Sequence, residues 1–154
     1  MTIRENVSIE LKEAMKKKDV DVVNTLRLVI AAIKEKDIVA KGKGNSSGIS
    51  EKEVISTLQT MIKQRNASVE MYIKGKREDL AKKEENEIEI ISSFLPTQLS
   101  EKEIDDIISV TIKSSEAKSI KDMGKVINLI KNSYNGRMDF GVVSKILKEK
   151  LSKL

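Results

Sequence analysis

The chain has 154 residues, of which 39% are apolar and 34% are charged, and its formal net charge is +5. This mixture is typical of a globular protein with one or two domains, not of a disordered chain. Cysteine, histidine and tryptophan are absent, which excludes disulfides, thiol catalysis, Ser–His nucleophile pairs and the usual zinc sites.

The sequence contains no segment typical of membrane insertion or secretion. A helix that spans a bilayer needs about 20 consecutive apolar residues, and no run approaches that length. The first 18 residues are charged and periodic, unlike the apolar core of a signal peptide. We therefore expect a cytoplasmic protein with no membrane partner.

Residues 1–95 show four stretches with the apolar periodicity of a helix. The second is expected to start at Asp19, and the third at Ser50, which has capping-box spacing to Glu53. The fourth runs from Arg77 to Phe94. The Gly/Ser-rich residues 41–48 predict a flexible polar linker without helix. The apolar positions of the first two stripes are Ile3, Val7, Leu11, Met15, Val22, Leu26, Val29 and Ile33.

The only proline, Pro96, predicts a domain boundary. After it, Ser100, Ser119 and Asp139 each precede an apolar stripe and are expected to cap three more helices. The predicted fold class is therefore all-α, with a four-helix N-terminal bundle over residues 1–95. A small, three-helix C-terminal bundle is expected over residues 96–154.

The positive charge is concentrated near the C-terminus. Residues 113–154 contain ten basic and four acidic side chains, a net of +6. Such a stretch attracts a phosphate backbone through counterion release, although Lys-rich solvated helices are also common in proteins without such a role. Only four aromatic residues occur, which argues against recognition of bases by stacking. Recognition of a folded RNA by its backbone and shape remains open.

No arrangement of residues predicts catalysis. The glycines at 42, 44 and 48 match neither the dinucleotide fingerprint nor the Walker pattern. The carboxylates between Glu84 and Glu89 have no Glu-x-x-His partner of the kind that holds two metal ions. We therefore predict no catalytic residue, no metal site and no cofactor.

Gly124 is unusual because it is predicted to lie inside the sixth helix, where glycine costs about 1 kcal/mol relative to alanine. A missing side chain permits close approach, either of another helix or of an RNA backbone. Lys121 and Lys125 lie on either side of it. Helix packing is the favoured interpretation from the sequence, and an RNA contact is the alternative.

Five segments in order resemble the YqeY-like proteins, also called the GatB/YqeY domain family. These proteins are related to the C-terminal region of GatB, a subunit of the glutamine-dependent aspartyl/glutamyl-tRNA amidotransferase. The resemblance covers nearly the whole chain. The segments are Thr25-Leu-Arg-Leu28 with Ala31-Ala-Ile-Lys34, Ile62-Lys-Gln-Arg65, Phe94-Leu-Pro-Thr-Gln-Leu99, Lys121-Asp-Met-Gly-Lys-Val126, and Val142 to Leu151.

The resemblance implies a tRNA-binding or translation-linked accessory protein. In GatB the corresponding region is a helical linker with a tail bundle that contacts tRNA, and the chemistry lies elsewhere. The family's label is carbon–nitrogen ligase activity with glutamine as amide donor. The expected partners are tRNA and amidotransferase or other translation proteins, with no DNA. The expected RNA-binding residues are Lys121, Gly124, Lys125 and Arg137, followed by Lys145 and Lys148 as basic neighbours.

Two other functions remain open at this point. One is a helical protein-interaction adapter without an RNA role, which predicts an exposed apolar patch. The other is an amidotransferase component that acts in trans, which predicts association with an amidase. RNA binding instead predicts a steep loss of affinity with salt.

Overall fold

The computed structural model describes residues 1–154, and every regular element in it is helical. The α-helices are α1 (Ile3–Lys17), α2 (Val20–Gly42), α3 (Glu51–Lys74), α4 (Glu78–Ser92), α5 (Glu101–Ser114), α6 (Met123–Tyr134) and α7 (Phe140–Ser152). A 3₁₀ turn, Ile120–Asp122, lies directly before α6. The predicted all-α fold class is confirmed. No helix combines the length and the apolar composition that crossing a bilayer requires.

The chain divides into two compact units, Met1–Leu95 and Pro96–Leu154, which we call unit 1 and unit 2. Unit 1 contains α1 to α4, and unit 2 contains α5 to α7. Each unit has its own core of buried apolar side chains. This division places the four longer helical segments and the three shorter ones in separate packing units.

Side-chain caps start most helices. Ser50 Oγ accepts a hydrogen bond from Glu53 N, and Ser100 Oγ accepts one from Glu103 N, both at 3.2 Å. Asp139 Oδ1 accepts from Gly141 N at 2.8 Å. These bonds satisfy amide groups that have no partner within the helix. Asp19 Oδ1 also accepts from Val22 N at 3.4 Å, so the caps predicted at Asp19, Ser50, Ser100 and Asp139 are confirmed.

In unit 1, α2 packs against α1, α3 and α4, and α3 packs along α4. The buried face of α2 is formed by Thr25, Leu26, Val29 and Ile33. Met15 was expected in the apolar stripe of α1, but its side chain is exposed. Ala14 occupies the buried position instead, so the buried face of α1 is shifted by one residue near the C-terminal end of the helix.

The structure corrects the prediction for residues 41–48. Helix α2 continues through Gly42, and only residues 43–50 connect it to α3. Gly48 and Ile49 are buried, so the end of this loop is anchored and is not a flexible linker. Gly48 has a φ of +80°, and a Cβ there would clash with the side chain of Asp37. The position therefore requires glycine for both its backbone conformation and its space.

The anchor of this loop is a polar cluster between α1, α2 and the loop. The guanidinium of Arg4 binds both carboxylate oxygens of Asp37, at 2.7 and 2.5 Å. Asp37 Oδ1 also accepts from Ile49 N at 2.8 Å, and Arg4 donates to Ile49 O at 3.2 Å. A bidentate arginine–carboxylate pair has strict geometry. The cluster therefore fixes the entry to α3 relative to α1 and α2.

The core of unit 2 is small and aliphatic, with Met138 as its one long unbranched side chain. Its buried members are Ile104, Ile108, Ile112, Ala117, Val126, Ile130, Met138, Val143, Leu147 and Leu151. Tyr134 and Phe140 pack against this core and are partly buried.

The sixth helix differs from its prediction at its start, because the predicted first residues form a 3₁₀ turn before α6.

Candidate nucleic-acid interface

Asp122 organises the start of α6, where three of the predicted RNA-binding residues lie. Its Oδ2 atom accepts hydrogen bonds from Lys118 N at 2.8 Å and Ser119 N at 3.3 Å. These two backbone bonds lower the pKa of the Asp122 carboxyl group from its usual value. The Ser-x-x-Asp spacing in the sequence therefore marks a turn that holds residues 118–122 in one conformation.

Lys121 lies in this turn, and Lys125 lies one helical turn later. Both are exposed, and Lys121 takes part in no salt bridge. Lys125 Nζ donates to Ser115 O at 3.2 Å, across to the end of α5. An ammonium group has three donors, so this bond leaves Lys125 able to donate to a ligand. A cation beside the carbonyl end of a helix is also favourable to that helix.

Gly124 is the second residue of α6 and is exposed. A Cβ at this position would meet no atom within 4 Å. The packing interpretation of Gly124 is therefore wrong, because no neighbouring helix approaches it. The structure leaves open space between the two lysines, on the side where a ligand can approach the backbone.

Arg137 has a structural role that the sequence did not indicate. Its Nε atom donates to Thr97 O at 3.1 Å, and its own carbonyl accepts from Leu99 N at 2.9 Å. Its guanidinium lies over the ring of Tyr134, 5.8 Å from the centroid. Gln98 Nε2 adds a bond to Gly136 O at 2.6 Å. These bonds attach the segment before α5 to the turn after α6, so Arg137 stabilises unit 2.

Lys145 and Lys148 are exposed on α7 and are three residues apart, so they lie on one face of the helix. Neither takes part in a salt bridge. Lys150 differs, since its Nζ lies 3.1 Å from Asp105 Oδ1 and 2.9 Å from Ser109 Oγ. Helix α7 packs against both α6 and the 3₁₀ turn that contains Lys121. The six predicted residues therefore occur on adjoining elements of one unit.

Acidic side chains of unit 2 are concentrated on α5. Four of them occur in its first six residues, Glu101, Glu103, Asp105 and Asp106. A polyanion is repelled by such a group and attracted by the lysines of α6 and α7. The electrostatics of unit 2 therefore favour an approach from the side of α6 and α7. No group of three or more Asp or Glu side chains is arranged to hold a metal ion.

The fold and this site define an all-helical protein of two small bundles, the second of which carries an excess of exposed lysine. The family described as Yqey-like protein matches residues 4–151, so the chain belongs to the YqeY-like family. The resemblance inferred from the five sequence segments is confirmed.

Several curated proteins from fungi are similar to this chain. The protein named Altered inheritance of mitochondria protein 41, mitochondrial, from Pyrenophora tritici-repentis is 31% identical over 91% of this chain and 76% of its own length. The protein of the same name from Lachancea thermotolerans is 35% identical over 80% of this chain and 67% of its own length. The one from Candida glabrata is 37% identical over 56% of this chain and 46% of its own length.

Proposed function

We propose that unit 2 binds a folded RNA, with tRNA as the favoured ligand, and that the chain serves translation as an accessory protein. The observation that carries this proposal is the set of exposed lysines without carboxylate partners on the 3₁₀ turn and α7. These residues lie within a stretch that has a net charge of +6. Lys121, Lys145 and Lys148 would contact phosphates, with Lys125 using its remaining donors.

The surroundings of the aromatic residues support recognition of the RNA backbone and not of the bases. Arg137 covers the ring of Tyr134, and Lys131 Nζ lies 5.4 Å from the ring centroid of Phe140. Both rings also pack against the core of unit 2. Binding of single strands by stacking requires exposed ring faces. The proposed ligand is therefore a structured RNA recognised by its shape.

The proposed role of the chain is non-catalytic. The resemblance to GatB concerns the part that contacts tRNA, and the family label of carbon–nitrogen ligase activity would belong to other subunits. An assay of purified protein for glutamine hydrolysis tests this point. Glutaminase activity that persists on purification and is abolished by a substitution in this chain would show that the protein is an enzyme.

The proposed compartment is the one in which translation takes place. For this chain we favour the cytoplasm, whereas the names of the relatives from Pyrenophora tritici-repentis and Lachancea thermotolerans place those proteins in mitochondria. Both compartments contain tRNA and ribosomes. Fractionation of the native cell, followed by an immunoblot, tests the assignment.

The decisive experiment is a gel-shift titration with bulk tRNA at about 50 mM and 200 mM salt, a range in which several phosphate contacts change affinity strongly. Lys121→Ala with Lys125→Ala should weaken binding and lower the salt slope by roughly two, one for each lost contact. The matched control is Lys82→Ala with Lys83→Ala, two exposed lysines of unit 1. Equal binding by both double variants would place the RNA site elsewhere.

A second candidate, the helical adapter, is supported by a different observation. Helix α2 of unit 1 exposes several large apolar side chains. The two functions use different units, so one protein can have both.

A further inference from the structure

Helix α2 has two faces of opposite character. Its buried residues end at Ile33, although the helix continues to Gly42. On the outer face, Leu28, Ile38 and Val39 are 48%, 63% and 55% exposed. Isolated exposed apolar residues are common on protein surfaces, but these three share one side of one helix.

The residues of this outer face follow a heptad pattern. Leu28, Ala31, Glu35 and Ile38 are spaced by three, four and three residues, as the a and d positions of a coiled coil are. The residues directly before the a positions are the g positions. They are Arg27, Lys34 and Lys41, spaced by seven residues. The pattern therefore combines a seam that is apolar except at Glu35 with one basic edge.

The three cations of this edge are exposed and free of ion pairs. No carboxylate lies within 4 Å of Arg27, Lys34 or Lys41 in the structure. Of the two acidic residues of α2 nearest to Lys34 and Lys41, Asp37 is bound to Arg4, and Glu35 is exposed and forms no salt bridge. The positive edge is thus available to carboxylates on another molecule.

Self-association through this face is disfavoured by charge. In an antiparallel pair of α2 helices, the three basic g positions of one copy would lie opposite the three basic g positions of the other copy. In a parallel in-register pair, the a-position Glu35 would lie opposite a second Glu35. Like charges at such positions oppose pairing. The charge pattern of the face therefore points to a different helix.

We propose that the face formed by Arg27, Leu28, Ala31, Lys34, Ile38 and Lys41 is a docking site for an acidic amphipathic helix of a partner protein. The partner helix presents apolar residues to Leu28 and Ile38. Its carboxylates face the three cations, and a basic residue lies opposite Glu35. The seam covers about two heptads, so the contact is short and reversible.

A labelled synthetic helix tests this proposal. The probe has 21 residues, with leucine at a and d, glutamate at e and g, and one lysine at the central a position. Its binding to the full-length protein is followed by fluorescence anisotropy. A second peptide with lysine at e and g has the same apolar residues and serves as the charge control. We expect the acidic peptide to bind at least tenfold more tightly than the basic one.

Two variants locate the contact on α2. Lys34→Glu with Lys41→Glu should reduce affinity for the acidic peptide by roughly tenfold, because two attractive pairs become repulsive. The control with equal charge change is Lys63→Glu with Lys74→Glu on α3, which should have no effect. Ile38→Ser should also weaken binding, whereas Ile9→Ser on α1 should not.

The outcomes separate this proposal from other uses of the face. If neither peptide binds at about 100 μM, or if both bind equally, the proposal is wrong. If Lys34→Glu with Lys41→Glu weakens binding of bulk tRNA and leaves peptide binding unchanged, the face binds RNA and the proposal is wrong. The first two results do not bear on RNA binding by unit 2, because the peptides test only α2, whereas the third would place an RNA contact in unit 1.

Discussion

The two units of this protein use their charged residues differently. Unit 1 has 18 basic and 16 acidic side chains, and two ion pairs link its helices, Arg4–Asp37 and the less exposed Arg65–Glu87. Unit 2 has 11 basic and 8 acidic side chains, and its salt bridge between Lys150 and Asp105 is more exposed. Unit 1 therefore contains one ion pair, Arg65–Glu87, with both side chains 15% exposed, whereas most lysines of unit 2 form no salt bridge.

The physical reason lies in size and packing. A unit of about 60 residues buries a smaller fraction of its surface than a larger one. Unit 2 is therefore held by a compact aliphatic core, by helix caps and by the backbone bonds around Arg137. Its lysines can be exchanged at little cost to folding. In unit 1, by contrast, loss of one member of the Arg65–Glu87 pair leaves a buried charge without its partner.

The largest expected effect is therefore in unit 1, at Glu87. The carboxylate of Glu87 accepts from Arg65 Nε at 3.0 Å, and both side chains are 15% exposed. Glu87→Ala leaves the guanidinium without its partner and should lower the free energy of unfolding by about 2 to 3 kcal/mol. Urea denaturation followed by circular dichroism measures the loss.

The matched control for this variant is Arg77→Ala. Arg77 pairs with Asp79, but both side chains are largely exposed, so no measurable loss is expected. Equal losses for Glu87→Ala and Arg77→Ala would contradict the distinction between buried and surface pairs in unit 1.

The next effect concerns Asp37 and depends on pH. The hydrogen bonds from Arg4 and from the Ile49 amide lower the pKa of the Asp37 carboxyl group from 3.8 to about 2. Because the pKa is lower in the folded state, the stabilisation is complete above about pH 4 and is lost as the pH falls towards 2. We expect a contribution of about 1 kcal/mol, since the Arg4 side chain is 36% exposed.

Asp37→Asn provides the test. The variant should be less stable at pH 7, and its stability should change less between pH 4 and pH 2 than that of the wild type. Denaturation curves at several pH values measure the stability at pH 7 and the change in stability between pH 4 and pH 2. An unchanged pH dependence in the variant would show that another carboxylate controls acid unfolding.

In unit 2, the expected effects are on binding and not on folding. Lys145→Ala with Lys148→Ala should lower the salt slope of tRNA binding by up to about two and leave the unfolding curve unchanged. Filter binding at three salt concentrations, together with a thermal melt, measures both. A large loss of stability with unchanged binding would mean that unit 2 also needs its lysines for folding.

Arg137 distinguishes a structural residue from a binding residue within unit 2. Arg137→Lys keeps the positive charge but removes the Nε donor to Thr97 O. It should lower the melting temperature of unit 2 and leave the salt slope of tRNA binding nearly unchanged. Thermal melts and gel shifts of Arg137→Lys and of Lys121→Ala, measured side by side, distinguish the structural role from the binding role. An unchanged melting temperature together with a lower salt slope would instead show that Arg137 acts mainly as a phosphate ligand.

The smallest effect is expected at Gly124. Because a Cβ there has open space, Gly124→Ala should raise the stability of unit 2, by less than about 1 kcal/mol, through helix propensity. Its effect on tRNA binding is the informative measurement. Weaker binding in this more stable variant would support close approach of the RNA backbone, and unchanged binding would limit the site to the lysines.

Local signals in the sequence were sufficient for most of the fold. Apolar periodicity predicted the helices, because each must bury one stripe. Ser50, Ser100 and Asp139 marked helix starts, since a side-chain oxygen followed by helical sequence satisfies the free amides of the first turn. The capping box of Thr2 and Glu5 at the start of α1 was missed, although its Thr-x-x-Glu spacing was visible.

The sequence by itself determined the helical class, the caps and the excess of positive charge near the C-terminus, because these depend on residues close together in the chain. Only the tertiary structure showed that Gly124 faces open space and that Gly48 lies against Asp37. It alone showed that Arg137 holds the segment before α5. These properties depend on contacts between residues about 10 to 40 positions apart, and no periodicity or spacing rule specifies such contacts.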